Sequence, residues 1–327
     1  VSEPNSGPPT PPPDSAVGVL VTTEAETYDA ISDNLMAAVL TLWASFSAYW
    51  AGDSVVDIAQ RIASLVVAAQ RNVGRLTEAH LRQQFRRLGV ELPRGTIVDL
   101  PEALRLGADE TEVYQRPIRE IRYLESVGTL LDDAVDTATE RLESTILTDL
   151  QLARVTAAQQ VFYAAPEETK AGPITGYRRV IHPELGNVCG LCIAASDRVY
   201  RRVEKMSLHP GCKCTLLPIV GGQDPGSRIN YEDITNIYAA AGGTTESRAL
   251  AKVRVAFKEN GEIGTILVPE GVTMKGPGTV KRQLSDRAAT LRRQQLQRQI
   301  DELQSRKGLS QWHQDRLEQL EDLLAAA

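Results

Sequence analysis

Cysteine is scarce in this 327-residue chain and does not spread. Cys189, Cys192, Cys212 and Cys214 are all there is, and none can staple distant loops. That excludes a disulfide framework of the secreted kind. Aromatic residues make up only 5%, which suits helices packed on Ala, Leu, Val and Ile. Positive charge is not in excess: 36 Lys and Arg face 42 Asp and Glu, a net charge of −6. A protein that coats nucleic acid through an overall positive field is thereby excluded. The N-terminus lacks the basic segment and apolar run of a secretory signal. The longest uncharged stretch, residues 34–52, is interrupted by Asn34, Thr41, Ser45, Ser47 and Tyr49 and has no basic flank. It reads as a buried helix and not a membrane span. No Walker motif, dinucleotide fingerprint, HExxH or G-x-S-x-G elbow occurs.

What is present is enough apolar residue, 42%, for a folded chain of two or three small domains. The expected class is mainly α. Residues 1–23 form a Pro-rich tail without packed structure. Residues 24–165 form a helical bundle. Ile31, Leu35, Val39, Leu42, Phe46 and Tyr49 share one face of a first helix that Gly52 ends. Val55, Ile58, Ile62, Leu65, Val66, Val73, Leu76, Leu81 and Phe85 stripe a second helix, over 54–88. Leu130, Leu131, Ala134, Val135, Ala138, Leu142, Ile146 and Leu150 stripe a third, from 126 towards 162. Residues 89–111 are looser, with Pro93, Gly95, Pro101 and Gly107 as breakers.

Beyond the bundle, residues 166–222 read as a small metal-pinned α+β unit with short strands near 176–182, 199–203 and 213–220. Residues 223–270 read as a small α+β module: a helix over 230–241, a turn of helix at 247–252, and a β-hairpin turning at Asn260-Gly261. Residues 271–282 are a Gly- and Pro-containing linker, and 283–327 a helical hairpin broken at Lys307-Gly308. The narrow apolar stripe of that hairpin suits self-association.

The chemistry concentrates in residues 188–215, VCGLCIAASDRVYRRVEKMSLHPGCKCT, which hold every cysteine and one of the four histidines. A C-x-x-C pair, a gap, and H-x-x-C-x-C is the spacing of a structural zinc site. Gly190 lets the first turn close, and Pro210-Gly211 bends the second arm. If Lys213 is extended, Cys212 and Cys214 face the same side. Cys189, Cys192, His209, Cys212 and Cys214 are five candidates for four positions, with His182 a sixth. Cys189, Cys192, His209 and Cys212 are the first choice, and Cys214 is the replacement for His209. Four protein ligands leave no open position, so such a zinc is structural. Buried free thiols and a redox-active C-x-x-C are the other readings of these cysteines.

Arg178, Arg179, Arg198, Arg201, Arg202, Lys205 and Lys213 make this segment locally basic. They read either as a solvated surface or as non-specific contacts to DNA phosphates. A serine hydrolase would need Ser196 or Ser207 paired with His182 or His209.

The run GYRRVIHPELGNVCGLCIAASDRVY, followed by LHPGCKC, resembles the MuF-like head morphogenesis proteins, or minor capsid proteins, of tailed bacteriophages. The likeness is to those of phages infecting actinobacteria in particular. It is specific over residues 176–218, extends more weakly upstream through Tyr114-Gln115-Arg116-Pro117, and does not cover 221–327. The resemblance implies a virion component inside the head near the portal, assembled in the host cytoplasm. It implies the portal protein and the major capsid or scaffolding protein as partners, and a part in procapsid assembly and DNA exit. Cys189, Cys192, His209, Cys212 and Cys214 match the family's cysteine/histidine pattern. Some relatives are assigned as capsid maturation proteases, the competing reading.

Overall fold

The structure, a computed structural model, describes residues 16–101, 103–185, 188–202, 204–209, 211–240 and 255–269, with eleven single positions between 293 and 325. It is mainly helical with a small antiparallel sheet. The expected Pro-rich segment before residue 16, the turn of helix at 247–252 and the linker at 271–282 lie outside the described residues. Of the C-terminal hairpin, the described positions are helical and Ile300 is buried. Gln304 Nε2 donates to Glu321 Oε1 at 3.4 Å, joining the two arms. The break at Lys307-Gly308 lies outside the described residues.

Four long helices make the bundle: α1 (Ala16–Ala44), α2 (Gly52–Arg87), α3 (Glu110–Ser126) and α4 (Leu131–Ala164). Three of them were expected. Helix α1 starts eight residues before the expected boundary at Glu24, because Val17 and Val21 continue the stripe of Ala25 and Tyr28 and are buried. It also stops early. Gly52 opens α2 instead of ending α1, and the chain reverses at 45–51, where Ser45 Oγ donates to the Leu42 carbonyl. Helix α3 was not expected, since Pro117 stands inside it. Asp109 caps it, accepting from the amides of Thr111 and Glu112 at 2.6 and 3.3 Å. Ile118 and Ile121 bury its inner face.

Small residues let these helices approach closely. Ala59, Ala63 and Ala69 of α2 share one core with Ala134, Ala138 and Ala153 of α4, around Leu35, Val39, Ile62, Leu142 and Ile146. Among the described residues no helix is long and apolar enough to cross a membrane.

The sheet is built around β2 (Gly172–Val180). Strands β1 (Glu168–Thr169), β3 (Val199–Arg201) and β4 (Thr215–Val220) each pair with it antiparallel. At Gly176 the Tyr200 carbonyl of β3 occupies the space a Cβ would fill, so this position needs glycine. Short helix α5 (Gly190–Ala195) precedes β3, and α6 (Pro225–Ala240) follows β4.

Residues of the expected 166–222 unit and of the hairpin in 223–270 share a core with the bundle. One core runs from Leu81 and Phe85 of α2, through Leu152, Val155 and Phe162 of α4, to Tyr177, Tyr200 and Leu216 of the sheet. It ends on Ile266 and Val268 of the hairpin β5 (Val255–Asn260) and β6 (Gly264–Pro269). Four of the scarce aromatics lie here. Phe85, Phe162, Tyr177 and Tyr200 form a ladder with successive centroids 5.4, 4.6 and 5.4 Å apart. In the hairpin the left-handed residue is Gly264, at φ 80°, and not Gly261. Asn260 Oδ1 closes the turn by accepting from the amides of Glu262 and Ile263.

Candidate metal centre

The five candidate ligands come from two arms that β2 and β4 bring together. On the first arm Cys189 is the N-cap of α5, and its Sγ accepts from the Cys192 amide at 3.3 Å. The C-x-x-C is therefore the opening turn of a helix, with Gly190 in ordinary helical conformation, and not the tight glycine turn expected. The consequence for the sulfurs is the same, since an N-cap and the third residue beyond it face one side. On the second arm Gly211 has φ 72°, a left-handed residue that turns the chain between His209 and Cys212. Cys212 and Cys214 then lie on one side, as an extended Lys213 predicts.

The ligand atoms form two overlapping groups. Cys189, Cys192 and His209 lie within 4.8 Å of one another, and so do Cys192, Cys212 and Cys214. Cys192 belongs to both. The closest approaches are Cys192 Sγ to Cys212 Sγ at 3.2 Å and Cys189 Sγ to His209 Nδ1 at 3.6 Å. A tetrahedral ion with bonds of about 2.3 Å to sulfur and about 2.0 Å to nitrogen sets its ligand atoms roughly 3.5–3.8 Å apart. Each pair is near the length of such an edge, the sulfur pair shorter by roughly half an ångström. The two pairs belong to different groups, so a single ion would have to draw them together. The clusters could hold a metal ion. Cys192, Cys212 and Cys214 are buried and Cys189 is half-buried, so an ion there would be shielded from water.

The charge state of the thiols alternates. Hydrogen bonding from Cys192 is the leading cause that draws Cys189 down to about 4, and that from His209 adds to it. Cys212 is likewise held well below the usual thiol range, first by Cys192, then by Cys214, with Arg179 assisting. Cys192 is pushed up, chiefly as the partner of Cys189. Thiols sharing protons with neighbouring thiolates are the state that a divalent ion displaces.

Arg179 sits among the sulfurs, fully buried. Its Nη1 lies 3.4 Å from Cys212 Sγ and 3.6 Å from Cys192 Sγ, and its Nη2 donates to the Ser207 carbonyl at 2.6 Å. Sequence reasoning counted it with the surface bases. The signal that places it is the strand alternation: Tyr177, Arg179 and Ile181 share one face of β2, and Ile181 packs on Cys192, Cys212 and Cys214. Asn230 of α6 was also missed. It donates to the carbonyls of Arg179 and Ser196 and accepts from the Ile181 amide, which fixes β2 against α5.

His182, the sixth candidate, belongs to neither group. Its ring nitrogens meet Glu184 Oε1 at 2.7 Å and Thr215 Oγ1 at 2.8 Å. The hydrolase pairing is not assembled either. Ser196 Oγ donates to the Ile193 carbonyl, and Ser207 contributes its carbonyl to Arg179. His209 faces Cys189.

No family model, curated protein or solved structure matches the chain. The site therefore stands on its geometry. The local basic charge is mostly paired inside the protein: Arg178 with Asp224, Arg198 with Glu204, Arg202 with Glu167 and Lys213 with Asp29. With Arg179 buried as well, at least five of the seven bases offered for DNA phosphates are engaged internally.

Proposed function

We propose that this chain is a metal-stapled structural protein of a tailed-phage head, a minor capsid component that works with the portal during procapsid assembly. The observation that carries the reading is the coincidence of two things. Residues 176–218, which hold the resemblance to the MuF-like family, also hold most of the central sheet and all five candidate ligands. A chain whose chemistry is used to lock one segment against a helical bundle fits an assembly part better than a catalyst. Ser196 and both histidines of the competing protease reading are engaged elsewhere.

The metal is zinc and its role is structural. Thiolate and imidazole ligands suit zinc, and four protein ligands close the coordination sphere. The helical bundle provides the docking face for the portal or for the capsid or scaffolding protein. The C-terminal helices add self-association, and the assembled protein lies inside the head near the portal.

Peptide mass spectrometry on purified mature particles tests this. The expected result is a few copies of this chain beside a major capsid protein whose N-terminus is intact. Absence of the chain, together with a trimmed capsid protein, overturns the structural reading in favour of a maturation protease. Elemental analysis of the isolated chain tests the zinc: one ion per chain is expected, and none in Cys189→Ser with Cys192→Ser.

A further inference from the structure

We propose that Arg179 is the charge-balancing partner of the metal centre, and that its single positive charge selects three thiolates and one neutral imidazole, Cys189, Cys192, Cys212 and His209, as the ligands. This rests on the metal reading above and deepens it. A guanidinium does not lose its proton in a protein, and burying it without an anion is strongly unfavourable. Arg179 is 0% exposed. Its hydrogen-bond partners are the sulfurs of Cys192 and Cys212, the Tyr200 hydroxyl and the Ser207 carbonyl, and none is a carboxylate. Its Nε has no partner at all. The negative charge that holds Arg179 in place is therefore carried by sulfur.

The charge count then discriminates between ligand sets. A divalent ion with three thiolates and a neutral imidazole carries one negative charge, and with Arg179 the buried unit is neutral. Four thiolates leave one negative charge uncompensated in the interior, and two leave the guanidinium unmatched. This set contains both close pairs, Cys192–Cys212 and Cys189–His209. The grouping by distance leaves Cys214 beside Cys192 and Cys212, so charge and not spacing is what separates the sets. The backbone of Cys214 is tied separately from its sulfur. Its amide donates to Cys212 Sγ at 3.4 Å and its carbonyl accepts from Arg154 at 2.9 Å. N–H groups from Arg179 and Cys214 thus both point at Cys212 sulfur and orient it from outside the coordination sphere.

The test uses the full chain loaded with zinc, and with cobalt for the thiolate-to-metal charge-transfer band. Arg179→Gln is expected to weaken zinc binding about ten- to a hundredfold in chelator competition, the range for lost outer-shell partners. It is also expected to move the cobalt band to lower energy, because a sulfur freed of N–H donors gives up its electron more readily. Arg179→Lys, which keeps the charge, restores most of the affinity. A merely structural arginine would leave the band where it is. Cys214→Ser keeps one metal per chain and the full band, whereas His209→Ala and Cys212→Ser do not. These two comparisons decide the matter even if Arg179→Gln does not fold. Equal affinity and an unmoved band in Arg179→Gln overturn the role of Arg179. Loss of metal in Cys214→Ser with retention in His209→Ala overturns the ligand set. If the unaltered chain binds neither zinc nor cobalt, the metal reading itself falls and this inference with it.

Discussion

Arg154 on α4 and Arg179 on β2 are the two largest fully buried side chains, and they meet opposite kinds of anion. Arg154 faces Glu24 of α1 at 3.0 Å, covers the Tyr28 ring at 4.5 Å and reaches the Cys214 carbonyl. Gln84 of α2 also donates to Glu24, at 3.1 Å, so one ion pair ties α1, α2, α4 and the start of β4 together. Everything it needs is encoded in carbon, nitrogen and oxygen. Arg179 meets no carboxylate: beside the Ser207 carbonyl and the Tyr200 hydroxyl it has cysteine sulfur, and a thiol is neutral at ordinary pH unless something holds it ionised. The first site is complete as folded, while the second depends on what the sulfurs bind. One end of the sheet is thus a fixed joint, and the other is a joint conditional on a ligand.

The largest effect expected from breaking this contrast is at the fixed joint. Arg154→Met leaves Glu24 buried without a counter-charge, which costs about 3–5 kcal/mol. Adding Glu24→Leu removes the stranded charge and should recover most of that loss, because an apolar pair of similar volume is often as stable as the ion pair. Denaturant unfolding of the two single variants and the double variant measures this. A single variant that loses under 1 kcal/mol would mean that water reaches the site and that the pair is not a joint.

A smaller effect is expected at the conditional joint, and it depends on metal. Chelator should lower the unfolding midpoint of the unaltered chain, since ion binding to the folded form adds to its stability. In Arg179→Met that chelator-induced fall should be smaller by about 1.4–2.7 kcal/mol, the equivalent of a ten- to hundredfold weaker site. The same addition should leave the cost of Arg154→Met unchanged. Were chelator to alter both costs alike, the two arginines would belong to one coupled unit.

Legibility from sequence follows the same division. The bundle could be read because α2 and α4 repeat apolar residues at three- and four-residue steps, and most of those residues are buried, although Leu65, Leu130 and Leu131 of the expected stripes are exposed. The ligands could be read because cysteine is rare and its spacing carries its own chemistry. Helix α3 could not, because Pro117 is normally a stop, and here a 17-residue helix with a capped start and Ile118 and Ile121 buried outweighs it. The continuity of the core could not be read either. It rests on stacking of Phe162 against Tyr177 across a boundary that Pro166 and Gly172-Pro173 mark as a break. Arg179 was hidden by its neighbour: Arg178 pairs with Asp224 on one face of β2, and only the strand's alternation sends Arg179 to the other.

The smallest effect concerns the third way this chain handles arginine, at the tip of the β5–β6 hairpin. Glu262 accepts from Arg116 at 2.8 and 2.9 Å and from Arg105 at 3.4 Å, while its carbonyl accepts from the Leu106 amide. Burial tends to raise the Glu262 carboxyl, but hydrogen bonding and charge from Arg116, then Arg105, outweigh it and hold the group below the usual range. A carboxylate depressed on folding contributes stability above its unfolded value near 4.5, and that contribution disappears as pH falls through the folded value. The side chain is 34% exposed, so solvent screening keeps the effect to about 0.2–1 kcal/mol. Glu262→Gln should therefore lower stability slightly at neutral pH and flatten its fall on acidification. Amide exchange at Leu208 and Leu267, whose amides bond the Thr265 and Leu208 carbonyls, reports the loosening locally. Unaltered exchange there at neutral pH would mean that the apolar contacts of Ile266 and Val268 hold the hairpin alone and that the arginines only decorate its tip.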